Sequence, residues 1–328
     1  MSENYNFKQV KGDWRASDIP TQKGRSVIIT GTGGLGYETA LELSRAGAEV
    51  IMAGRNRKKG EESINKIRRS VLSANIRFEE LDLADLISIK KFTERMKDQR
   101  KSLDLLINNA GVMTPPQRKI TKDGFELQFG TNFLGHFALT AGLLPLLKKG
   151  KNPRVVNVSS LAHLAGIIDF ENLQSERSYK PMVAYSQSKL ANLMFSFELE
   201  RRSENFGWGI KSIAVHPGIS RTELIPNGAG KNSPMGILRR AMGPIMFQAA
   251  SQGALPSLYA ATSPNAEGGA YYGPSKFNEM RGLPKLAKPA PQSRDEKVAE
   301  RLWDVSKNLT DVDFDEITSI ENSNYILK

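Results

Sequence analysis

Between residues 26 and 215 the sequence alternates between short apolar runs and longer amphipathic stretches. Runs rich in Val and Ile are typical of buried strands, and apolar residues three or four positions apart indicate helices. The predicted strands cover residues 26–30, 49–53, 76–81, 103–107, 154–158 and 211–215, and the predicted helices cover residues 38–46, 57–71, 86–99, 132–147 and 183–202. Strands separated by helices form parallel sheets. The sequence therefore predicts an α/β fold built on a single doubly wound parallel sheet with helices on both faces.

Less regular segments surround this alternation. Residues 1–22 are polar apart from an isolated Trp14, and we expect an N-terminal extension that packs on or near a domain of residues 23–283. Within that domain, residues 219–250 mix Gly, Pro and Met with scattered apolar residues, which suggests a segment that covers a substrate. A short strand is predicted over residues 270–272. Residues 284–328 begin with a Lys- and Pro-rich linker and continue into a helix over residues 295–309, which we expect to pack on the same domain.

Composition excludes several classes of function. The net charge is +11 at pH 7, but the basic residues are scattered and no nucleic-acid-binding motif accompanies them, so we expect a solvated surface and no nucleic-acid partner. Cysteine is absent and the three histidines are dispersed, so neither thiol catalysis nor a metal site is expected. No apolar stretch is long enough for a transmembrane helix, and the first residues do not form a signal sequence, which predicts a cytoplasmic protein.

A glycine-rich segment, Thr-Gly-Thr-Gly-Gly-Leu-Gly at residues 30–36, joins the first predicted strand to the first predicted helix. Glycines at such a turn let the backbone approach a pyrophosphate, and the helix N-terminus supplies positive potential. The position therefore predicts a Rossmann-type dinucleotide-binding fold, with Gly31, Gly34, Leu35 and Gly36 at the cofactor.

The end of the second predicted strand indicates which dinucleotide is bound. Enzymes that use NAD usually carry an acidic residue there, which accepts hydrogen bonds from the ribose. This chain has Arg55, followed by Arg57 and Lys58. Guanidinium groups bind phosphate through paired hydrogen bonds, so the pattern favours NADP over NAD.

The strongest chemical signal is Tyr185-Ser-Gln-Ser-Lys189, because a spacing of four places the phenol and the ammonium on one face of a helix. Free tyrosine ionises near pH ~10, and a neighbouring cation favours the phenolate. The pair follows Ser159 and Ser160, two hydroxyl residues at the end of a predicted strand. Tyr185 is therefore a candidate general acid or base, with Lys189 as its activating partner.

Together these motifs resemble the short-chain dehydrogenase/reductase family. The resemblance implies a catalytic tetrad of Asn132, Ser160, Tyr185 and Lys189, in which the serine holds the substrate oxygen and the asparagine helps to anchor a water that relays protons. Ser159 is the alternative serine. The glycine segment is one residue shorter than the family pattern, but it still reads as the general dinucleotide motif Gly-x-Gly-x-x-Gly.

The same resemblance implies further roles. Asp82 would contact adenine, and Lys189 would also bind the nicotinamide ribose. His163 and His216 are interpreted as structural residues. The remaining positions that the resemblance places against the cofactor are Asn109, Ala110, Gly111, Tyr185, Pro217, Gly218 and Thr222.

Other segments are similar to the branch that contains retinol dehydrogenases and their bacterial relatives. They include Ser-Ser-Leu-Ala-His from residue 159 and Ala-Glu-Arg-Leu-Trp from residue 299. This branch implies hydride transfer between NADP(H) and a bulky, apolar alcohol, aldehyde or ketone, in a homodimer or homotetramer. Two alternatives stay open: a non-catalytic nucleotide-binding or sensor protein, suggested by the short glycine segment, and a sugar-nucleotide epimerase or dehydratase, which shares Tyr-x-x-x-Lys but would have Gly in place of Tyr37.

Overall fold

The computed structural model describes residues 7–220 and 248–314. Its strands are β1 (Ser26–Thr30), β2 (Glu49–Gly54), β3 (Asn75–Glu80), β4 (Leu105–Asn108), β5 (Arg154–Val158), β6 (Lys211–Val215), β7 (Tyr271–Lys276) and β8 (Arg281–Leu286). They form one sheet in the order β3-β2-β1-β4-β5-β6-β7-β8. All neighbouring strands pair in parallel except β7 and β8, which are antiparallel. The predicted doubly wound α/β fold is confirmed.

Helices cover both faces of the sheet. They are α1 (Leu35–Arg45), α2 (Arg57–Ser70), α3 (Leu86–Gln99), α4 (Leu127–Phe129), α5 (Gly135–Leu147), α6 (Pro181–Asn205), α7 (Ala250–Gly253), α8 (Leu255–Thr262) and α9 (Glu296–Thr310). Successive residues of a strand point to opposite faces of a sheet. In β1, accordingly, Ile28 packs in the cluster formed with α3, α5, α6 and α9, whereas Val27 and Ile29 pack in the cluster formed with α1, α2 and α8.

Two elements differ from the prediction. The helix expected from residue 132 is a five-residue π-helical turn, Gly130–Leu134, followed by α5. The strand expected over residues 270–272 is the first arm of a hairpin, and its second arm, β8, falls partly in the predicted linker. Pro274 pairs with Pro284 in this hairpin. Proline has no N–H to donate to a sheet ladder, so two prolines in the sequence argue against strands here. The structure tolerates them because the hairpin lies at the edge of the sheet.

The flanking segments contact the sheet domain through aromatic side chains. Trp14 packs edge-on against Tyr259 of α8, with ring centroids 5.3 Å apart. On the other face, Trp303 of α9 stacks on Phe195 of α6 at 5.8 Å. Across residues 7–220 and 248–314, no helix combines the length and the apolar character needed to cross a membrane.

Candidate active site

The glycine turn lies where the strand order reverses, because β1 is flanked by β2 on one side and by β4 on the other. In parallel α/β sheets this switch point forms a crevice at the carboxyl ends of the strands. Gly31 and Gly34 have φ of 91° and 53°, and Gly34 precedes the first residue of α1. A methyl group on Gly36 would overlap the Gly31 carbonyl oxygen. The close backbone packing in this turn fits a dinucleotide cradle despite the missing residue.

Thr30 joins this turn to the end of β4. Its Oγ1 accepts the backbone N–H groups of Asn109 and Ala110, each at 2.9 Å. The Asn109 side chain donates back to the Thr30 carbonyl at 2.8 Å. Two of the predicted cofactor positions are therefore held directly beside the glycine turn.

His136 continues this network towards Asn132. His136 Nδ1 lies 2.9 Å from the Asn132 carbonyl, which can only accept, so Nδ1 carries the proton. Nε2 must then accept, and the Thr30 hydroxyl, 2.9 Å away, donates to it. Burial lowers the pKa of His136 to about 4, outweighing the hydrogen bond to Asn132, so the ring is neutral. The imidazole connects the cofactor turn to the backbone of the predicted tetrad.

Asn132 is completely buried within the π-helical turn. Its Oδ1 accepts the Val112 N–H at 2.7 Å, and its Nδ2 donates to the Val112 carbonyl at 3.0 Å and to Ser188 Oγ at 2.9 Å. A π-helical turn widens a helix locally and is frequent at functional sites. Asn132 therefore ties the chain after Gly111 to α6, which carries Tyr185 and Lys189.

The two adjacent serines have different partners. The Ser159 hydroxyl donates to the Lys189 carbonyl at 2.7 Å and is 2% exposed. The Ser160 hydroxyl is half-buried and accepts the Ala162 N–H at 3.2 Å, and its side chain acts to lower the pKa of the Tyr185 phenol. The geometry therefore places Ser160, not Ser159, beside the tyrosine.

Burial dominates the electrostatics of the Tyr-Lys pair. Both side chains are 4% exposed. Burial raises the pKa of Tyr185 to about 12, in spite of the opposing effect of the Ser160 side chain, and lowers the pKa of Lys189 to about 8. Lys189 Nζ lies 5.8 Å from the Tyr185 ring centroid and donates to the Val158 carbonyl at 3.1 Å. The sequence predicted that the Lys189 cation lowers the pKa of Tyr185, but burial raises this pKa in the structure. The phenol is therefore protonated at neutral pH.

The remaining predicted positions follow the carboxyl ends of other strands. Arg55 is exposed directly after β2. Asp82 follows β3, and its Oδ1 accepts the Ala84 N–H at 3.0 Å. Pro217 and Gly218 follow β6, whereas Thr222 and residues 221–247 of the predicted covering segment lie outside the described residues.

Two side chains of the site were not singled out as functional from sequence. Thr30 directly precedes the glycine turn, and His136 lies one helical turn after Asn132. Their positions next to these motifs could have identified both residues from the sequence. His163 is also fully buried, and its Nδ1 donates to the Ser160 carbonyl at 2.6 Å.

The fold and the site define a dinucleotide-binding α/β protein with a hydroxyl, a phenol and an ammonium group at one end of its sheet. The chain belongs to the short-chain dehydrogenase/reductase family, since the family model described as short chain dehydrogenase matches residues 25–230. This is a family of oxidoreductases that use nicotinamide dinucleotides and act on alcohols and carbonyl compounds.

Individual relatives place the chain in the retinol dehydrogenase-like branch. It is 41% identical to retinol dehydrogenase 14 of Mus musculus over 306 residues, covering 88% of this chain and 86% of that protein. It is 37% identical to polyprenol dehydrogenase of Homo sapiens over 312 residues, covering 93% and 91%. A crystal structure of an uncharacterised protein from Mycobacterium paratuberculosis superposes with a TM-score of 0.76 at 39% identity, covering 92% of this chain and 99% of that one.

Proposed function

We propose that this protein transfers a hydride between NADP(H) and an alcohol or carbonyl group of an apolar small molecule. The observation that carries the proposal is the packing of α6 on the end of β5, where Lys189 Nζ donates to the Val158 carbonyl at 3.1 Å. This packing brings the Ser160 side chain beside the buried Tyr185 phenol, with the buried ammonium of Lys189 one helical turn further along α6. A hydroxyl that can polarise an oxygen and a phenol that can donate a proton are the two groups that carbonyl reduction requires from the protein.

The proposed mechanism uses the protonated phenol. When bound, the nicotinamide cofactor supplies the hydride in reduction and accepts it in alcohol oxidation. Ser160 Oγ donates a hydrogen bond to the substrate oxygen, and Tyr185 Oη donates the proton that this oxygen takes up. The charge that develops on the phenol is stabilised by Lys189, while Asn132 fixes the packing of α6 against the chain after Gly111.

The cofactor would lie along the carboxyl ends of β1 to β6. Neighbouring side chains pack tightly on two glycines of this region. A methyl group on Gly31 would lie 3.1 Å from Asn109 Nδ2, and a methyl group on Gly111 would lie 3.0 Å from Asn132 Oδ1. The residues that we propose to bind it are Gly31, Gly34, Leu35, Gly36, Arg55, Asp82, Asn109, Ala110, Gly111, Tyr185, Lys189, Pro217, Gly218 and Thr222.

Apolar side chains flank the catalytic groups in sequence and support an apolar substrate. Leu164 and Ile167 follow Ser160 and are 55% and 74% exposed, and Met182 and Val183 precede Tyr185 and are 44% and 62% exposed. Retinol and polyprenol, which name two of the relatives, are long apolar alcohols. Exposed apolar groups beside a polar centre match a substrate with one polar end.

The central test is Tyr185→Phe, which removes one oxygen atom. We expect the rate of carbonyl reduction to fall by about 100-fold or more, since general acid catalysis contributes on that order. The affinity for NADPH, measured by cofactor fluorescence, should stay close to that of the parent protein. Tyr259→Phe is the matched control, because it removes the same atom from a buried tyrosine on α8. Unchanged turnover of Tyr185→Phe would exclude the proposed mechanism.

Cofactor preference is tested separately with Arg55→Ala. Loss of a charge-assisted hydrogen bond to the 2′-phosphate should weaken NADPH binding by about 10- to 100-fold and leave NADH binding unchanged. Arg69→Ala is the control, because it removes another exposed arginine, at the far end of α2. Equal affinity of the parent protein for NADPH and NADH would refute the NADP assignment.

A further inference from the structure

The turn between β7 and β8 has an unusual backbone. Phe277, Asn278 and Glu279 are consecutive non-glycine residues with φ of 53°, 50° and 64°. A side chain in this left-handed region costs roughly 1 kcal/mol per residue, and such conformations persist where surrounding contacts impose them. The contacts made by Glu279 and its neighbour Met280 show what this turn holds.

The Glu279 side chain points inwards, with an exposed fraction of 14%. Its Oε1 accepts the Lys288 N–H at 3.0 Å, and its Oε2 lies 3.2 Å from Nε2 of His216. Burial acts to raise the Glu279 pKa, but the hydrogen bonds from His216 and Lys288 outweigh it and keep the pKa below its usual value. Glu279 is therefore an ionised acceptor aimed at a fully buried histidine.

The contact at the second nitrogen of His216 shows which nitrogen carries the ring proton. The Gly218 N–H donates to His216 Nδ1 at 3.2 Å, so Nδ1 must carry the lone pair. The proton of the neutral ring is then on Nε2, from which it is donated to Glu279. In the opposite tautomer, the N–H of the ring would face the N–H of Gly218. A carboxylate that selects a histidine tautomer is a well-established way to orient the other ring nitrogen.

The backbone of the turn also packs on the segment after His216. The Ile219 N–H donates to the Met280 carbonyl at 2.8 Å, and a methyl group on Gly218 would overlap that same carbonyl. Gln248 completes the contact, since it donates to the Pro217 carbonyl at 2.7 Å and accepts the Gly282 N–H at 3.1 Å. The hairpin therefore holds residues 217–219 through both backbone and side-chain contacts.

We propose that Glu279 is a positioning residue that sets the tautomer of His216 and thereby fixes the Pro217–Gly218 backbone that receives the nicotinamide end of the cofactor. The inference rests on the proposed function, which assigns Pro217 and Gly218 to cofactor binding. Glu279 acts through the imidazole, whose Nε2 lies 3.2 Å from Glu279 Oε2. The strained turn is explained by this role, because its left-handed residues bring the carboxylate to His216 and the Met280 carbonyl to Ile219.

The test compares Glu279→Ala and Glu279→Gln with the parent protein. Four measurements are made. Fluorescence gives the Kd for NADPH, steady-state kinetics give kcat and KM for carbonyl reduction, long-range ¹⁵N NMR gives the His216 tautomer, and thermal unfolding gives the stability. We expect Glu279→Ala to raise the Kd for NADPH and to lower kcat/KM by about tenfold or more, which corresponds to the loss of a hydrogen bond to a charged group. The NMR signature of the Nε2–H tautomer should be lost. Glu279→Gln keeps an acceptor oxygen and should show a smaller change in each quantity.

Asn278→Gly is the matched control, because glycine adopts the left-handed conformation freely and the carboxylate stays in place. It should leave cofactor binding and the His216 tautomer unchanged. A folded Glu279→Ala protein that retains the Nε2–H tautomer, or that binds NADPH as tightly as the parent, overturns the inference. If that variant does not fold, Glu279→Gln is measured in its place, and a Kd for NADPH and a kcat/KM equal to those of the parent protein overturn the inference. Failure of the parent protein to bind any nicotinamide cofactor would instead overturn the proposed function, and the positioning role of Glu279 with it.

Discussion

The buried ammonium of Lys189 predicts the pH dependence of carbonyl reduction. Burial lowers the pKa of Lys189 to about 8, whereas the pKa of Tyr185 is raised to about 12. The phenol thus keeps its proton over the accessible range, and Lys189 is the group of this pair that loses its charge first. We expect kcat/KM to be constant below about pH 8 and to fall about tenfold per pH unit above it.

The depth of this fall follows from the distance between the two groups. Lys189 Nζ lies 5.8 Å from the Tyr185 ring centroid. With the ring centroid taken as the centre of the delocalised phenolate charge and an effective dielectric constant of about 20, a unit positive charge at this distance stabilises a developing phenolate by about 3 kcal/mol. That energy corresponds to a factor of about 100 in rate. The pH profile should therefore level off about two orders of magnitude below its maximum.

The assay is kcat/KM with NADPH and a fixed aldehyde, measured between about pH 6 and pH 10.5 at constant ionic strength. Lys189→Met should show a flat profile at the level that the parent protein reaches at high pH. Lys180→Met makes the same substitution at the exposed residue that precedes α6, and it should keep the parent profile. A decline of equal midpoint in Lys189→Met would show that another group titrates and would refute the assignment.

Three further predictions concern binding and stability. His136→Phe leaves the Asn132 carbonyl without its side-chain donor. It should lower the free energy of unfolding by about 1–3 kcal/mol in denaturant titrations, and a loss below about 0.5 kcal/mol would contradict the network. Gly36→Ala places a methyl group on the Gly31 carbonyl and should abolish NADPH binding in fluorescence titrations, so parent-like affinity would disprove the proposed cradle. Burial raises the pKa of Glu200 to about 7, so the folded state binds this proton more tightly than the unfolded state, and stability falls as pH rises from about 4.5 to about 7. Glu200→Gln should therefore be more stable than the parent protein by about 2–3 kcal/mol at about pH 8 and no more stable at about pH 4. Thermal unfolding at both pH values tests this difference.

The alternation of strands and helices was predictable because its signals are local. The predicted bounds of α3, β5 and β6 coincide with those of the structure, since each element carries its own apolar pattern and its own boundaries. The β7–β8 hairpin was missed beyond residue 272 for the opposite reason. Prolines interrupt the sequence pattern that is typical of strands in both arms. β8 is a strand because β7 is already part of the sheet and offers it a partner at the edge.

The sequence by itself determined the fold class and the chemical groups of the candidate site, because the glycine turn, Asn132, Ser160 and the Tyr-Lys pair each lie in a short motif of fixed spacing. Only the tertiary structure decided how these groups are tuned. The raised pKa of Tyr185 and the lowered pKa of Lys189 both arise from burial, which depends on elements far away in the chain. The partners of His136 and His216 lie 106 and 63 residues away, at Thr30 and Glu279, and no local pattern specifies contacts over such separations.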